Sequence, residues 1–195
     1  MIAVVDYKAG NLTSVMKALH AAGADARVTQ DADGVLRAEK IVLPGVGHFA
    51  ATEFLEKQGL RAAMQAQIAK GIPFLGICVG LQWLFEGSTE SPQTLGLDLY
   101  KGRCERFSAG LKVPHVGWNA LEVRPSRLLR GISSGTFVYY THSYRAPLTN
   151  GTVAVTDYGG PFTAAVEIGN VMGVQFHPEK SGEAGLRILR NFVEL

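Results

Sequence analysis

The sequence predicts an α/β fold: one domain with a mostly parallel central sheet, flanked by helices, that carries a mixed or antiparallel β extension. Three observations predict it. In the first half, short apolar runs alternate with segments of helical periodicity, the pattern of βα units. After residue 95, short β-rich runs broken by Gly, Pro and Asn read as antiparallel strands added to the parallel core or folded over it. The 195 residues fall within the usual size of one domain. Their 23 glycines are dispersed, and no Ser/Pro-rich linker, charge block or repeat marks a boundary, so residues 1–195 read as one unit.

Each element has its own warrant. Ile2–Val5 is a short apolar run ended by Asp6, hence a buried strand. Over residues 11–23, Leu12, Val15, Leu19 and Ala22 recur at helical spacing, with Asn11 as N-cap and Gly23 as the stop. Residues 27–29 and 41–43 read as further strands, and 49–70 as helical with a break at Gly59. Residues 72–77 form the fourth strand, running straight into Cys78 and a helical stretch at 81–85. The β-rich runs are 103–107, 119–123, 136–140, 152–156, 163–168 and 171–176. Leu186, Leu189, Arg190 and Val193 give residues 184–195 the spacing of a closing helix.

Composition narrows the function. With 19 Lys+Arg against 17 Asp+Glu, the net charge of +2 offers no electrostatic footprint for nucleic acid or an anionic membrane. Two cysteines, Cys78 and Cys104, are too few for a disulfide framework and fit a reducing cytoplasm. The first residues lack a basic segment and the apolar run is short, unlike a secretory leader. No apolar stretch approaches the roughly 20 residues that span a bilayer. The expected setting is cytoplasmic.

The most informative stretch is Gly76-Ile77-Cys78-Val79-Gly80 between an apolar strand and a helix. It is the thiol form of the Gly-x-Ser-x-Gly elbow, whose glycines permit a sharp turn and a close strand–helix crossing. A sulfur held there has its thiolate favoured by the helix N-terminus, and the Val79 N–H, one residue on, would face a developing oxyanion. A buried structural cysteine among small residues fits the same letters. A thiol nucleophile needs a base and an orienting group. Phe176-His177-Pro178-Glu179 supplies both at a strand end, where extended chain would turn His177 and Glu179 to one side. A surface turn fits that segment equally well when it is taken alone.

Pro44-Gly45-Val46-Gly47 forms a glycine loop after the third strand, able to bring amides close to a ligand or to be a plain βα turn. Of the other histidines, His20 reads as solvated or capping and His48 as starting a helix, while His115 and His142 suit either a site or a packed polar core. No pair has zinc-ligand spacing with a cysteine, so neither a metal nor another cofactor is expected. Arg124, Arg127 and Arg130 read as a solvated helix face, and Cys104 as core.

With Cys78, His177 and Glu179 in this order, the chain resembles the triad (class I) glutamine amidotransferases. Asp6-Tyr7…Gly10-Asn11, Pro44-Gly45-Val46-Gly47, Gly76 to Gln82, Pro114-His115-Val116-Gly117-Trp118-Asn119, His142-Ser143-Tyr144 and Phe176 to Ser181 together resemble the glutaminase subunits of imidazole glycerol phosphate synthase. Lys8 and His48 depart from that pattern, standing where smaller residues are expected.

The resemblance implies hydrolysis of glutamine to glutamate and ammonia through a Cys78 thioester, with His177 moving the proton and Glu179 orienting it. It implies an oxyanion hole from Val79 and Val46, the latter after a backbone flip. Gly45, Gly47, Gln82, Glu90, Ser143 and Tyr144 would hold glutamine, Glu90 meeting the ammonium group. The ammonia would pass to a (β/α)8-barrel cyclase subunit for histidine synthesis, and the heterodimer would activate the glutaminase. Tyr7, Asn11, Trp118, Asn119 and Lys180 are expected at that partner interface. The rival readings are another stand-alone triad glutaminase, such as that of pyridoxal phosphate synthase; a cysteine hydrolase of other substrates; and a non-catalytic binding domain on the same scaffold.

Overall fold

The structure, a computed structural model, describes residues 1–195. Strand β1 (Ile2–Val5) is buried along its whole length, as a strand covered on both faces must be. Helix α1 (Leu12–Ala21) starts at Asn11, whose side-chain oxygen accepts from the Ser14 amide, and stops at Gly23, where φ is +91°. Next come β2 (Ala26–Thr29), α2 (Ala32–Leu36) and β3 (Lys40–Gly45). The five residues of α2, capped by Asp31, are too few to show a period, and the sequence does not reveal them.

Residues 49–70 divide into a 3₁₀ turn (Phe49–Thr52), α3 (Glu53–Lys57) and α4 (Leu60–Ala69). The break falls at Gly59, left-handed at φ +69°, as expected. β4 (Phe74–Cys78) then runs directly into α5 (Val79–Gln82). The helix expected at 81–85 is a correction: α5 ends at Gln82, and Phe85 opens β5 (Phe85–Ser88), which turns back as β6 (Ser91–Leu95). Leu81, Trp83, Leu84 and Phe85 are all buried, so that run carries no period to separate helix from strand.

The remainder is β7 (Tyr100–Arg106), β8 (His115–Ala120), β9 (Glu122–Val123), β10 (Phe137–His142), β11 (Tyr144–Arg145), β12 (Thr152–Asp157), β13 (Pro161–Ile168), β14 (Val171–Val174) and α6 (Gly182–Val193). The run read at 119–123 is two strands in different sheets. The arginines near 124–130 lie on no helix. Arg127 pairs with Glu167 at 2.7 Å, and Arg130 pairs with Glu194.

Eight strands form the main sheet in the order β2-β1-β3-β4-β14-β13-β12-β9. The first five are parallel, and β13, β12 and β9 extend them antiparallel. Two small sheets, β10-β8 and β11-β7-β5-β6, complete the β extension, so its strands are both added to the core and folded beside it. α1 packs against α6 and α2 against α4, and one apolar core runs from Ile2 to Phe192. No helix is long and apolar enough to cross a membrane.

The register places the site. Gly45 pairs with Cys78, and Val174 with Ile77, so the carboxyl ends of β3, β4 and β14 lie level. Helix α5 leaves that edge at very close range. A Cβ on Gly80 would sit 1.9 Å from the Leu43 carbonyl oxygen, and one on Gly76 would sit 2.4 Å from that of Gly80. Gly80→Ala is therefore expected to cost about 1–3 kcal/mol through overpacking. In a chain of this size that lowers Tm by about 2–4 °C per kcal/mol. Differential scanning calorimetry checks this; an unchanged Tm would mean the crossing is not tight.

Candidate active site

Cys78 ends β4 with φ +55° and ψ −107°, a strained conformation for a side-chain-bearing residue, and α5 begins at the next residue. The elbow inferred from two glycines is present. Cys78 lines a cleft of about 190 Å³ together with Gly47, Val79, Gln82, Glu90, Pro114, Thr141, His142, Ser143 and Tyr144. A larger cavity of about 530 Å³, bordered by Thr52, Glu53, Arg61 and Thr94 with Trp83 at its wall, holds neither a cysteine nor a histidine. The smaller cleft is the one onto which the elbow cysteine opens.

The histidine comes from the chain leaving β14. His177 Nδ1 lies 2.8 Å from Glu179 Oε1, with both side chains almost fully buried. The expected pairing holds, but by different geometry: His177 is extended, while Glu179 sits in a 3₁₀ turn (Pro178–Lys180) with Pro178 at its start. Neighbours fix the loop. The His177 amide donates to the Tyr139 carbonyl at 2.9 Å, and Ser181 Oγ donates to the His177 carbonyl at 2.7 Å. Burial pulls the His177 pKa down. The hydrogen bond to Glu179, together with the negative charges of Cys78 and Glu179, outweighs it and raises the value to about 10.

Substrate-side residues are only partly as expected. Glu90 reaches the cleft while its Oε2 accepts from the Phe49 amide at 2.8 Å, tying the hairpin β5–β6 to the glycine loop. Gln82 Nε2 donates to the Tyr144 carbonyl (3.0 Å) and to Gln175 Oε1 (3.1 Å). Of the Gln82 side-chain amide, only Oε1 is left to meet a ligand. Gly47 lines the cleft, but Gly45 does not: it is buried, and a Cβ there would sit 2.1 Å from the Tyr7 hydroxyl and 2.9 Å from Val79 Cβ. Gly45 is there for close packing rather than ligand contact.

The expected interface residues divide. Trp118 is exposed, stands edge-on to Tyr139 at 6.0 Å, and Lys180 Nζ lies 5.6 Å above the Tyr139 ring. Val116, Trp118 and Phe137 on the β8–β10 strand pair are 55–58% exposed, an unusual grouping for large apolar side chains. Asn11 is exposed at the α1 cap. Tyr7 is a correction, since it is 1% exposed and stacked under Gly45. Asn119 is half-buried: its amide donates to the Asp157 carbonyl and faces His115 Nε2, and its oxygen takes the Ala120 N–H.

Several features escaped the sequence reading. His115 Nδ1 lies 2.9 Å from His142 Nε2, and His142 Nδ1 lies 2.8 Å from the Tyr144 carbonyl oxygen. Burial lowers His115 to about 4 and, as the largest cause, His142 to about 3, so both are neutral at pH 7. Gln175, fully buried, donates to Cys78 Sγ at 3.6 Å. It precedes His177 by two residues, the spacing that also brought His177 forward. Cys104 is buried with its thiol pKa raised by burial, the core residue expected. Lys8, a departure from the family pattern, takes a positive φ of +67°.

Comparison with known proteins decides the family. The model of the class-I glutamine amidotransferases matches residues 3–195. The imidazole glycerol phosphate synthase subunit HisH of Methanothermobacter thermautotrophicus is 51% identical, over 100% of this chain and 98% of that protein. The chain belongs to the HisH family of class-I glutamine amidotransferases. The HisH subunit of Moorella thermoacetica is 47% identical, over 100% of this chain and 94% of its own. Among solved structures, a glutamine amidotransferase superposes with a TM-score of 0.79 at 19% identity, covering 100% of both chains. PurLQS from Thermotoga maritima gives 0.76 at 19% identity, covering 99% of this chain and 97% of that one. These two establish the fold shared across the family. Both HisH relatives are named as subunits of imidazole glycerol phosphate synthase.

The raised His177 pKa has a sign. It contributes stability that is complete below pH 6.5 and is lost as pH rises through about 10. Glu179→Gln removes one of the charges that hold the proton, so the His177 titration should move from about 10 toward neutral. Imidazole NMR measures it; an unmoved titration would mean the 2.8 Å contact carries no charge coupling.

Proposed function

We propose that Cys78, His177 and Glu179 are the catalytic triad of a glutaminase, and that its ammonia passes to a (β/α)8-barrel cyclase subunit. The heterodimer would make imidazole glycerol phosphate and aminoimidazole carboxamide ribotide for histidine synthesis. The observation that supports this reading is a strained cysteine at a helix start that opens onto a cleft, coupled by charge to a buried His177–Glu179 pair beside it.

The chemistry follows from the groups. Cys78 Sγ attacks the side-chain amide carbon of glutamine, and the carbonyl oxygen takes negative charge opposite the Val79 N–H. His177 gives its proton to the amide nitrogen, the C–N bond breaks and ammonia leaves a γ-glutamyl thioester. Water then attacks that carbonyl as His177 takes its proton. The C–S bond breaks, glutamate departs, and the Cys78 sulfur is restored. Glu179 holds the imidazole and balances its charge throughout. Glu90, already anchored by Phe49, receives the substrate ammonium, and Gln82, Ser143 and Tyr144 line its path.

A second oxyanion donor is the Val46 N–H, brought in by a flip of the glycine strand. Gly47 suits the hinge, with φ +114° and open space where a Cβ would stand. Gly45 is clamped by Tyr7 and Val79 and serves as the fixed end. Lack of one such donor slows acyl transfer by about 10²–10³, enough to silence the free subunit until its partner shifts the population. The exposed Val116, Trp118, Phe137 face, with Tyr139, Lys180 and Thr141 running to the cleft, suits the partner's seat.

One assay tests the reading: glutamine- and ammonia-dependent synthase activity, with and without the cyclase subunit and its ligand. Cys78→Ala should abolish glutamine use and keep ammonia use. Trp118→Ala should weaken activation by the partner while the subunit stays folded. Glutamine turnover by Cys78→Ala, or full wild-type activity without partner, would overturn the triad or the switch respectively.

A further inference from the structure

Seven residues form a polar path from the exposed β8–β10 strand pair to the sulfur of Cys78, and its proton directions are set at its midpoint and at its outer end. At the midpoint, the Tyr144 carbonyl can only accept. Gln82 must therefore show it an N–H, and the same nitrogen serves Gln175 Oε1. The Gln175 amide is thereby oriented with Nε2 toward Cys78 Sγ, 3.6 Å away. The same Tyr144 carbonyl fixes His142 with its proton on Nδ1, which leaves Nε2 to accept from His115 Nδ1. At the outer end the Ala120 N–H occupies Asn119 Oδ1, so Asn119 offers N–H to His115 Nε2 at 3.4 Å. Every donor meets an acceptor in a single register.

We infer that Gln175 is a further residue of the catalytic centre, a fixed N–H donor to the Cys78 sulfur, and that His142 is a positioning residue that locks it through Tyr144 and Gln82. The sheet makes this natural. Val174 pairs with Ile77, so the next residue along β14 stands beside Cys78. Gln175 is fully buried, so its amide has no water to turn toward. An N–H aimed at sulfur stabilises a thiolate far better than a thiol, since charged acceptors make the stronger bond. The strand pair that starts the path carries the exposed Trp118, so whatever docks there presses on a network that ends at the nucleophile.

The inference rests on Cys78 being the nucleophile, and alkylation reads the sulfur without turnover, so the two fail separately. In the complex with the cyclase subunit, Gln175→Glu keeps the shape and the bond to Gln82 but replaces the donor with an acceptor. Its kcat for glutamine should fall about 10- to 100-fold, the loss of one charge-assisted hydrogen bond, with KM within about two-fold. Iodoacetamide should alkylate Cys78 more slowly, with its pH profile displaced to higher pH. A pair of variants at His142 separates hydrogen bonding from packing. His142→Asn keeps an N–H near the position of Nδ1 and leaves a void; His142→Phe fills the space and loses the donor. The inference expects the Asn variant to retain kcat and alkylation rate within a few-fold and the Phe variant to lose about ten-fold. Wild-type alkylation in Gln175→Glu, a change in KM alone, or a Phe variant outperforming the Asn variant would overturn it. Should Gln175→Glu fail to fold, the His142 pair decides alone.

Discussion

The structure depends on one tight crossing, that of α5 over the ends of β3 and β4. Gly80 lies against the Leu43 carbonyl and Gly76 against Gly80, distances at which no side chain fits. That crossing forces the backbone to reverse at Cys78 and accounts for its positive φ. Strain of this kind costs about 1–3 kcal/mol and persists only where the surroundings over-determine it. Here they do: Phe74, Leu75 and Ile77 are buried, and β4 is hydrogen-bonded to a strand on each side. A buried strand at the centre of the sheet thus ends in a strained cysteine.

From that point the rest of the site follows by register. Tyr7 packs on Gly45, Gly45 lies beside Cys78, and Gln175 follows the β14 residue paired with Ile77. His177 is reached two residues later, where its amide is pinned by β10 and its ring by Glu179. The small sheets close the cleft from outside: β5–β6 delivers Glu90 and β10–β11 delivers His142, Ser143 and Tyr144. Parallel core and antiparallel extension therefore have separate tasks. The first fixes Cys78 at the sheet edge, and the second supplies most of the cleft wall around it.

The core was legible because parallel strands buried on both faces read as apolar runs, and the α1 caps Asn11 and Gly23 have local signatures. The elbow was legible because its glycines answer a steric need within five residues. Three things were not. The β5–β6 hairpin hid in a uniformly apolar run, where burial erases periodicity. Tyr7 reads as an interface residue, but long-range packing against Gly45 buries it. Gln175 and the His115–His142 pair act through contacts spanning 27 to 97 positions, which no local pattern encodes. For Gln175 the two-residue offset from His177 was a usable signal.

The central claim is that backbone geometry, not thiol content, selects the nucleophile. Cys78 opens onto the cleft, while Cys104 is sealed, and burial pushes its thiol pKa up. The direct measurement is peptide mass spectrometry after treating the partner-bound protein with an electrophilic glutamine analogue. The account predicts one adduct, on Cys78, with Cys104 unmodified and free glutamine protecting the site. An adduct on Cys104, or labelling of Cys78 that glutamine does not suppress, would contradict it.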